Sequence, residues 1–178
     1  MKIIAAVSID GKIGKDNKLL WHIPEDLKRY KLKTLDNICI CGVNTFYSLP
    51  AVALMGRTHI VVSGYEDGKE IDVPDGADVY HLINLADAIE LAKELKKDWQ
   101  EIYIIGGAMM YESTLDLVDE VDITWVNKMF PTADIKFPIY KLKENFDVVG
   151  DSSWVTSVKG LEYKHTYYKR KFADGKTV

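Results

Sequence analysis

One stretch of this chain places a carboxylate, an aromatic ring and apolar side chains where they could act together on a ligand. In LLWHIPEDLKRYKLKTL, running from Leu19 to Leu35, Pro24, Glu25 and Asp26 stand where a helix would begin. Proline suits a first turn because its missing N–H has no intrahelical acceptor there in any case. The helix dipole and the free amides of that turn favour a carboxylate on electrostatic grounds alone, so both acids have a purely structural explanation. Asp26 and Tyr30 are four residues apart and share a face beside Leu27, whereas Glu25 and Arg29 point elsewhere. A carboxylate beside an aromatic ring can grip a flat heterocycle with amidine-like N–H donors, because it accepts two parallel hydrogen bonds. Local spacing leaves both readings open.

Three further segments carry weaker signals. In EIYIIGGAMMYESTL an apolar strand ends at Ile105, Gly106 and Gly107 follow, and a helical pattern begins near Ala108. Glycines at such a turn let backbone approach a phosphate closely, although tight turns use glycine for other reasons. CGVNTFYSL repeats the arrangement, with Gly42 after a strand and Asn44 suited to cap a short helix. Two such turns beside one sheet suggest a dinucleotide across its edge. In LMGRTHIVVSG, Arg57 precedes an otherwise apolar strand; it is either a solvated strand-end charge or a clamp for a substrate carboxylate.

Strands and helices around these residues can be read in outline from the apolar periodicity. Strand-like runs occur at Lys2 to Ile9, Ile38 to Cys41, His59 to Ser63, Asp78 to His81, Glu101 to Ile105, Glu120 to Asn127, Phe146 to Val149 and Tyr163 to Lys169. Helical patterns cover Pro24 to about Leu35 and Asn84 to Lys97, the latter capped by Asn84 with an apolar stripe of Leu85, Ala88, Ile89, Ala92 and Leu95. Alternation of strands and helices over the first two thirds argues a mostly parallel sheet covered on both faces. Strands in the last third follow one another through turns, which favours an antiparallel addition to the same sheet. At 178 residues and 47% apolar content the chain is expected to form a single domain over 1–178, with its last residues, 173–178, frayed.

Composition narrows the partners. A net charge of -4 gives no general reason to bind nucleic acid or an anionic membrane. No apolar stretch nears the roughly 20 residues of a membrane span, and the opening MKIIAAVSIDGKIG lacks a signal-peptide pattern, so the expected location is cytoplasmic. Cys39 and Cys41 lie two apart in a strand, a spacing poor for a disulfide, and the four histidines are scattered; core thiols are expected, and no metal site.

Taken together, these segments resemble the dihydrofolate reductase family, in order and over nearly the whole chain: IAAVSIDGKIG, LWHIPEDLKRYK, CGVNTFYSLP, GRTHIVVS, IYIIGGAMMY, then Thr124 and ADIKFP. The resemblance implies an α/β, three-layer fold with a central mixed sheet of about eight strands, mostly parallel with an antiparallel C-terminal edge strand, and helices on both faces. It also implies NADPH-dependent reduction of 7,8-dihydrofolate to tetrahydrofolate, serving one-carbon and thymidylate metabolism, with hydride passing from nicotinamide C4 to pterin C6 and a proton to N5. In that scheme Asp26 holds the pterin's 2-amino group and N3, Trp21 orders a water near the pterin oxygen, and Thr124 bonds Asp26. Ala6, Val7, Leu27, Tyr30, Leu49 and Leu54 line the folate cleft, and Arg57 meets the glutamate α-carboxylate. Antifolates would bind the same cleft. The protein is expected to act as a monomer, with a dimer left open.

On the cofactor side the resemblance assigns Ala6, Ile13, Gly14, Asn17 and Leu19 to the nicotinamide and its lid. Gly42, Asn44, Thr45, Ser63, Ile105, Gly106, Gly107, Ala108 and Tyr111 fall along the rest of NADPH, with a cis peptide between the two glycines and Asp134 pinning the lid. The chain departs from the family pattern at Val43, Gly64 and Met109, where polar or basic residues would face the adenosine 2′-phosphate, so NADH becomes a tolerable cofactor. After Gly64, Glu66 and Asp67 would repel a phosphate, and Lys69 is the one nearby cation in sequence. Leu19 and Leu20 also replace a methionine and a proline common in the lid. Two alternatives compete: the pyrimidine reductase of riboflavin synthesis, which needs neither the Trp21 to Asp26 pattern nor Arg57, and a non-catalytic protein that kept the fold, which would have lost those residues.

Overall fold

The computed structural model describes residues 1–16, 18–50, 54–64 and 71–171. Asn17, the stretch holding Glu66, Asp67 and Lys69, and the tail 173–178 lie outside them. The strands are β1 (Lys2–Ser8), β2 (Lys12–Gly14), β3 (Ile38–Gly42), β4 (Thr58–Val62), β5 (Asp78–Leu82), β6 (Ile102–Gly106), β7 (Glu120–Val126), β8 (Ile135–Lys136), β9 (Phe146–Asp151), β10 (Val155–Thr156) and β11 (Glu162–Arg170). The described helices are α1 (Pro24–Thr34), α2 (Val43–Ser48), α3 (Leu85–Leu95), α4 (Ala108–Thr114) and α5 (Ile139–Asn145).

The main sheet runs β10-β11-β7-β1-β6-β3-β4-β5, with β9 also paired to β11. From β7 to β5 every pairing is parallel. β11 lies antiparallel to β7 and carries β9 and β10 along its far side, both antiparallel to it. The sheet is thus mixed, mostly parallel and closed by antiparallel C-terminal strands.

Alternation along the central strands builds two cores. Ile3, Ala5 and Val7 of β1, Ile38 and Ile40 of β3, and Ile102 and Ile104 of β6 face Ala88, Ile89 and Ala92 of α3 and Met110 and Tyr111 of α4. Ile4, Cys39, Cys41, Val61, Tyr103 and Ile105 face the other way, toward Phe46 of α2, Tyr30 of α1 and Leu54. Burial on both faces explains why these strands read as continuous apolar runs. Both cysteines are free and fully buried, and burial pushes the Cys39 thiol up to about 12, as befits core thiols.

α3 begins as its sequence predicts, with the Asn84 side chain accepting from the Asp87 amide at 2.9 Å. α2 does not: it starts at Val43 with Gly42 as its cap and no side-chain capping bond, so Asn44 stands inside the first turn. Four elements leave too short a pattern to read from sequence: β2 and β8, which pair as a small sheet, the two-residue β10 and helix α5.

Candidate active site

The sheet itself opens the cleft. β1 pairs with β7 along all seven residues, but with β6 only through Lys2↔Tyr103 and Ile3↔Ile104. Beyond that point β6 follows β3, with Gly106 beside Cys41, and the carboxyl halves of β1 and β6 part. The Ile4 carbonyl, deprived of a strand partner, accepts instead from the buried Tyr111 hydroxyl at 3.1 Å. A crevice at strand carboxyl ends, where neighbouring strands diverge, is the usual ligand position in an open α/β sheet.

α1 lies over this crevice. Ile23 at its N-cap makes no side-chain capping bond, and Asp26 is not spent on capping. Its Oδ1 accepts from Thr124 Oγ1 at 2.5 Å, reaching from the helix to β7. Thr124 is fully buried, opposite Ala6 of β1 on one side and His165 of β11 on the other. His165 Nδ1 lies 3.0 Å from the same Thr124 oxygen. Sequence reading missed this histidine, since only the β7–β11 register brings it to the site. Removal from water pushes the Asp26 carboxyl above its ordinary value; the Thr124 hydrogen bond and the nearby Arg29 charge oppose this, and Asp122 adds to it.

The neighbours of Asp26 on α1 divide as their spacing predicts. Arg29 donates to both oxygens of Asp122 and to the Tyr167 hydroxyl, away from the cleft. Glu25 accepts from the Val158 amide at 2.8 Å. Tyr30 turns inward among the cleft-side apolar residues, its buried hydroxyl without a hydrogen-bond partner among the described residues. Leu27 is 40% exposed on the same helix. Trp21 packs on Ile23, Val126 and Tyr163, its ring centroid 5.4 Å from that of Phe130.

Three expectations need correcting. Val7 is fully buried in the core on the opposite face from Ala6, so its side chain does not line the cleft. Arg57 is not a solvated strand-end charge: it is 4% exposed, with Nε donating to Thr34 Oγ1 (2.7 Å), Nη1 to the Met55 carbonyl (2.8 Å) and Nη2 to the Lys31 carbonyl (3.0 Å). It binds the end of α1 to the turn before β4, and its cation stands over the Tyr30 ring at 5.8 Å. Asp134 is exposed, and its neighbours tether the loop after β1. β2 pairs with β8, Lys12 Nζ donates to the Ala133 carbonyl and the Phe137 amide to the Gly11 carbonyl. In that loop Ile13 is half-buried against the core, Gly14 is buried and Leu19 is 61% exposed.

The two glycine turns meet. The Gly106–Gly107 peptide is cis, as the family resemblance implies, and Gly106 has φ +117°, a conformation that side chains rarely adopt. A Cβ on Gly107 would stand 3.2 Å from Thr45 Oγ1, and one on Gly106 3.0 Å from the Tyr111 hydroxyl. The turns after β3 and β6 thus share a narrow, side-chain-free floor beneath Thr45, and neither helix that follows has a side-chain cap over its first amides. Residues of this shape fit the pyrophosphate of a dinucleotide, which needs close backbone and unblocked N–H donors. Ser63 follows the last residue of β4, its amide bonded to the Leu82 carbonyl.

Comparison with known proteins matches this geometry to a family. The dihydrofolate reductase family model covers residues 1–170. The chain belongs to the dihydrofolate reductase family. The dihydrofolate reductase of Mycobacterium leprae is 31% identical over 94% of this chain and 96% of its own length, and the type 9 dihydrofolate reductase of Escherichia coli is 37% identical over 71% and 70%. Among solved structures, the Enterococcus faecalis dihydrofolate reductase complexed with NADP(H) and RAB-propyl superposes with a TM-score of 0.77, at 27% identity and 96% coverage of both chains. The family's reaction, NADPH-dependent reduction of dihydrofolate, is the reaction of this chain.

Asp26 and Arg57 should affect stability in opposite senses. The folded chain keeps the Asp26 proton to higher pH than the unfolded chain does, so stability falls as pH rises through the window from the ordinary to the raised value, and the deficit remains at neutral pH. Asp26→Asn, which cannot ionise, should therefore exceed wild type in unfolding free energy at pH 7, with the gain shrinking as acid protonates the wild-type carboxyl. Urea denaturation at the two pH values measures this, and an equally or less stable variant at pH 7 contradicts it. Arg57→Leu should instead lose about 1–3 kcal/mol for each acceptor left buried without a donor. A variant as stable as wild type would mean that the three bonds do not brace α1.

Proposed function

We propose that Asp26 binds and polarises the pterin of dihydrofolate, and that the crevice between β1 and β6 receives NADPH. The observation that supports this most is a carboxylate withdrawn from water with only one oxygen engaged: Thr124 donates to Oδ1, and no described residue donates to Oδ2. Oδ2 and the remaining lone pair of Oδ1 are then available to the 2-amino group and N3. Held ionised against that pair of donors, Asp26 favours a proton at N5, which makes C6 the electron-poor end of the imine. NADPH supplies the hydride to C6 when bound.

The other residues bind, orient and exclude water. Ala6, Leu27, Tyr30, Leu49 and Leu54 form the apolar walls of the folate cleft, and Trp21 holds a water toward the pterin oxygen. Arg57, oriented by the Thr34 hydroxyl and the Lys31 carbonyl of α1, meets the glutamate α-carboxylate, as the family resemblance implies. Gly106, Gly107 and Ala108 face the phosphates with Gly42, Asn44 and Thr45 opposite, Ile105 and Ser63 flank them, and Tyr111 stands at the nicotinamide end. Ile13, Gly14 and Leu19 close over the nicotinamide. Cytoplasmic location and action as a monomer belong to the same proposal, because both substrates are free solutes and one chain carries every residue named.

Wild-type protein should consume NADPH only when dihydrofolate is added. Asp26→Asn should slow the hydride step by about a hundredfold or more at neutral pH. Near-normal single-turnover rates in the folded variant would remove Asp26 from the chemistry.

Cofactor discrimination should be weaker than the family pattern implies. Met109 is 83% exposed, Gly64 has no side chain, and Val43 packs into the cleft-side core, so none offers a donor to a 2′-phosphate. The ratio of kcat/KM for NADPH over NADH at low ionic strength should stay below something on the order of a thousandfold. A larger ratio would reveal a phosphate site built from other residues.

A further inference from the structure

The hydrogen bond that orients Asp26 has a second partner behind it. A threonine hydroxyl has one proton to give. With Asp26 ionised, the Thr124 proton goes to the carboxylate at 2.5 Å, and Thr124 Oγ1 can then only accept from the imidazole nitrogen 3.0 Å away on its other side. That fixes the His165 proton on Nδ1, because the tautomer of a histidine follows the hydrogen bond its nitrogen makes. The ring is held in place by the strand register opposite Thr124 and by edge contact with Tyr163, at a centroid distance of 5.5 Å.

We propose that His165 is a positioning residue of the pterin site: its Nδ1–H fixes the Thr124 hydroxyl so that the single proton points at Asp26, leaving the far carboxylate oxygen to the substrate. Successive donors aligned in one direction strengthen one another, so the chain His165 to Thr124 to Asp26 binds the carboxylate charge more firmly than threonine alone. Charge on the imidazole plays no part, since burial and the cations of Arg29 and Lys33, against Asp122, lower its pKa to about 4. The groups facing Asp26 are Thr124, Arg29 and Asp122, and Tyr163 lies near both Asp26 and Glu25. The consequence for catalysis rests on Asp26 being the pterin carboxylate; the hydrogen-bond chain does not.

The test uses the substrate-free protein. At neutral pH the imidazole nitrogen spectrum of His165 should show the Nδ1–H tautomer, and the Nε2–H tautomer would overturn the proposal whatever the variants do. Carboxyl-carbon titration should then find the Asp26 pKa raised by about half a unit or more in His165→Phe, which keeps a ring against Tyr163 but has no donor. His165→Asn, whose amide nitrogen falls near the Nδ1 position, should titrate close to wild type, whereas His165→Gln, which reaches the Nε2 position, should follow the phenylalanine variant. In a Thr124→Val background, His165→Phe should shift Asp26 no further. Equal Asp26 titration in all three single variants, or an undiminished shift without Thr124, would show that the histidine only packs. Because no step needs substrate, loss of the Asp26 function in turnover assays and loss of this relay are separate results.

Discussion

The hydrogen bond from Thr124 to Asp26 ties the chemistry of this protein to its fold. It joins the first turn of a helix to the middle of a strand, and it is the one side-chain bond that a carboxylate drawn out of water receives from the described residues. Its length requires α1 to lie directly over β1 and β7, and the small Ala6 beside Thr124 allows that approach. Arg29 gripping Asp122 further along the same helix, and Arg57 gripping the Lys31 carbonyl and the Thr34 hydroxyl near its end, hold α1 at that height. A helix held at its middle and its C-terminal end by arginines and in its first turn by a threonine can present a destabilised carboxylate without drifting.

The sheet supplies the other half of the site by failing to pair. β1 keeps β7 along its whole length and releases β6 after two residues, and Tyr111 satisfies the carbonyl left behind. The same divergence brings the cis Gly106–Gly107 turn beneath Thr45. One crevice therefore has an acidic, partly desolvated wall suited to a heterocycle and a backbone-lined end suited to phosphates.

Much of this was legible in the sequence, for identifiable reasons. The central strands are buried on both faces and read as apolar runs; α3 carries both a cap and a stripe; Asp26 and Tyr30 share a face because helical spacing demands it. What escaped depends on register or on distant partners. Val7 is one residue from Ala6, and a one-residue step along a strand reverses the face. His165 meets Thr124 only through an antiparallel pairing across 41 residues. The buried setting of Arg57 escaped because its acceptors are two backbone carbonyls and a threonine hydroxyl 23 residues away, which no local pattern advertises. β2, β8 and β10 are too short to carry a period.

In the proposed role, an ionised Asp26, poorly solvated and half engaged, draws a proton onto whatever heterocycle it binds. The ultraviolet difference spectrum of a bound 2,4-diaminopyrimidine tests it most directly, since the protonated and neutral rings absorb differently and the ligand needs no turnover. At a pH well above the ligand's own pKa in water, wild-type protein should hold it in the protonated form and Asp26→Asn should hold it neutral. A neutral ligand on the wild type, or a protonated one on the variant, would remove Asp26 from that role.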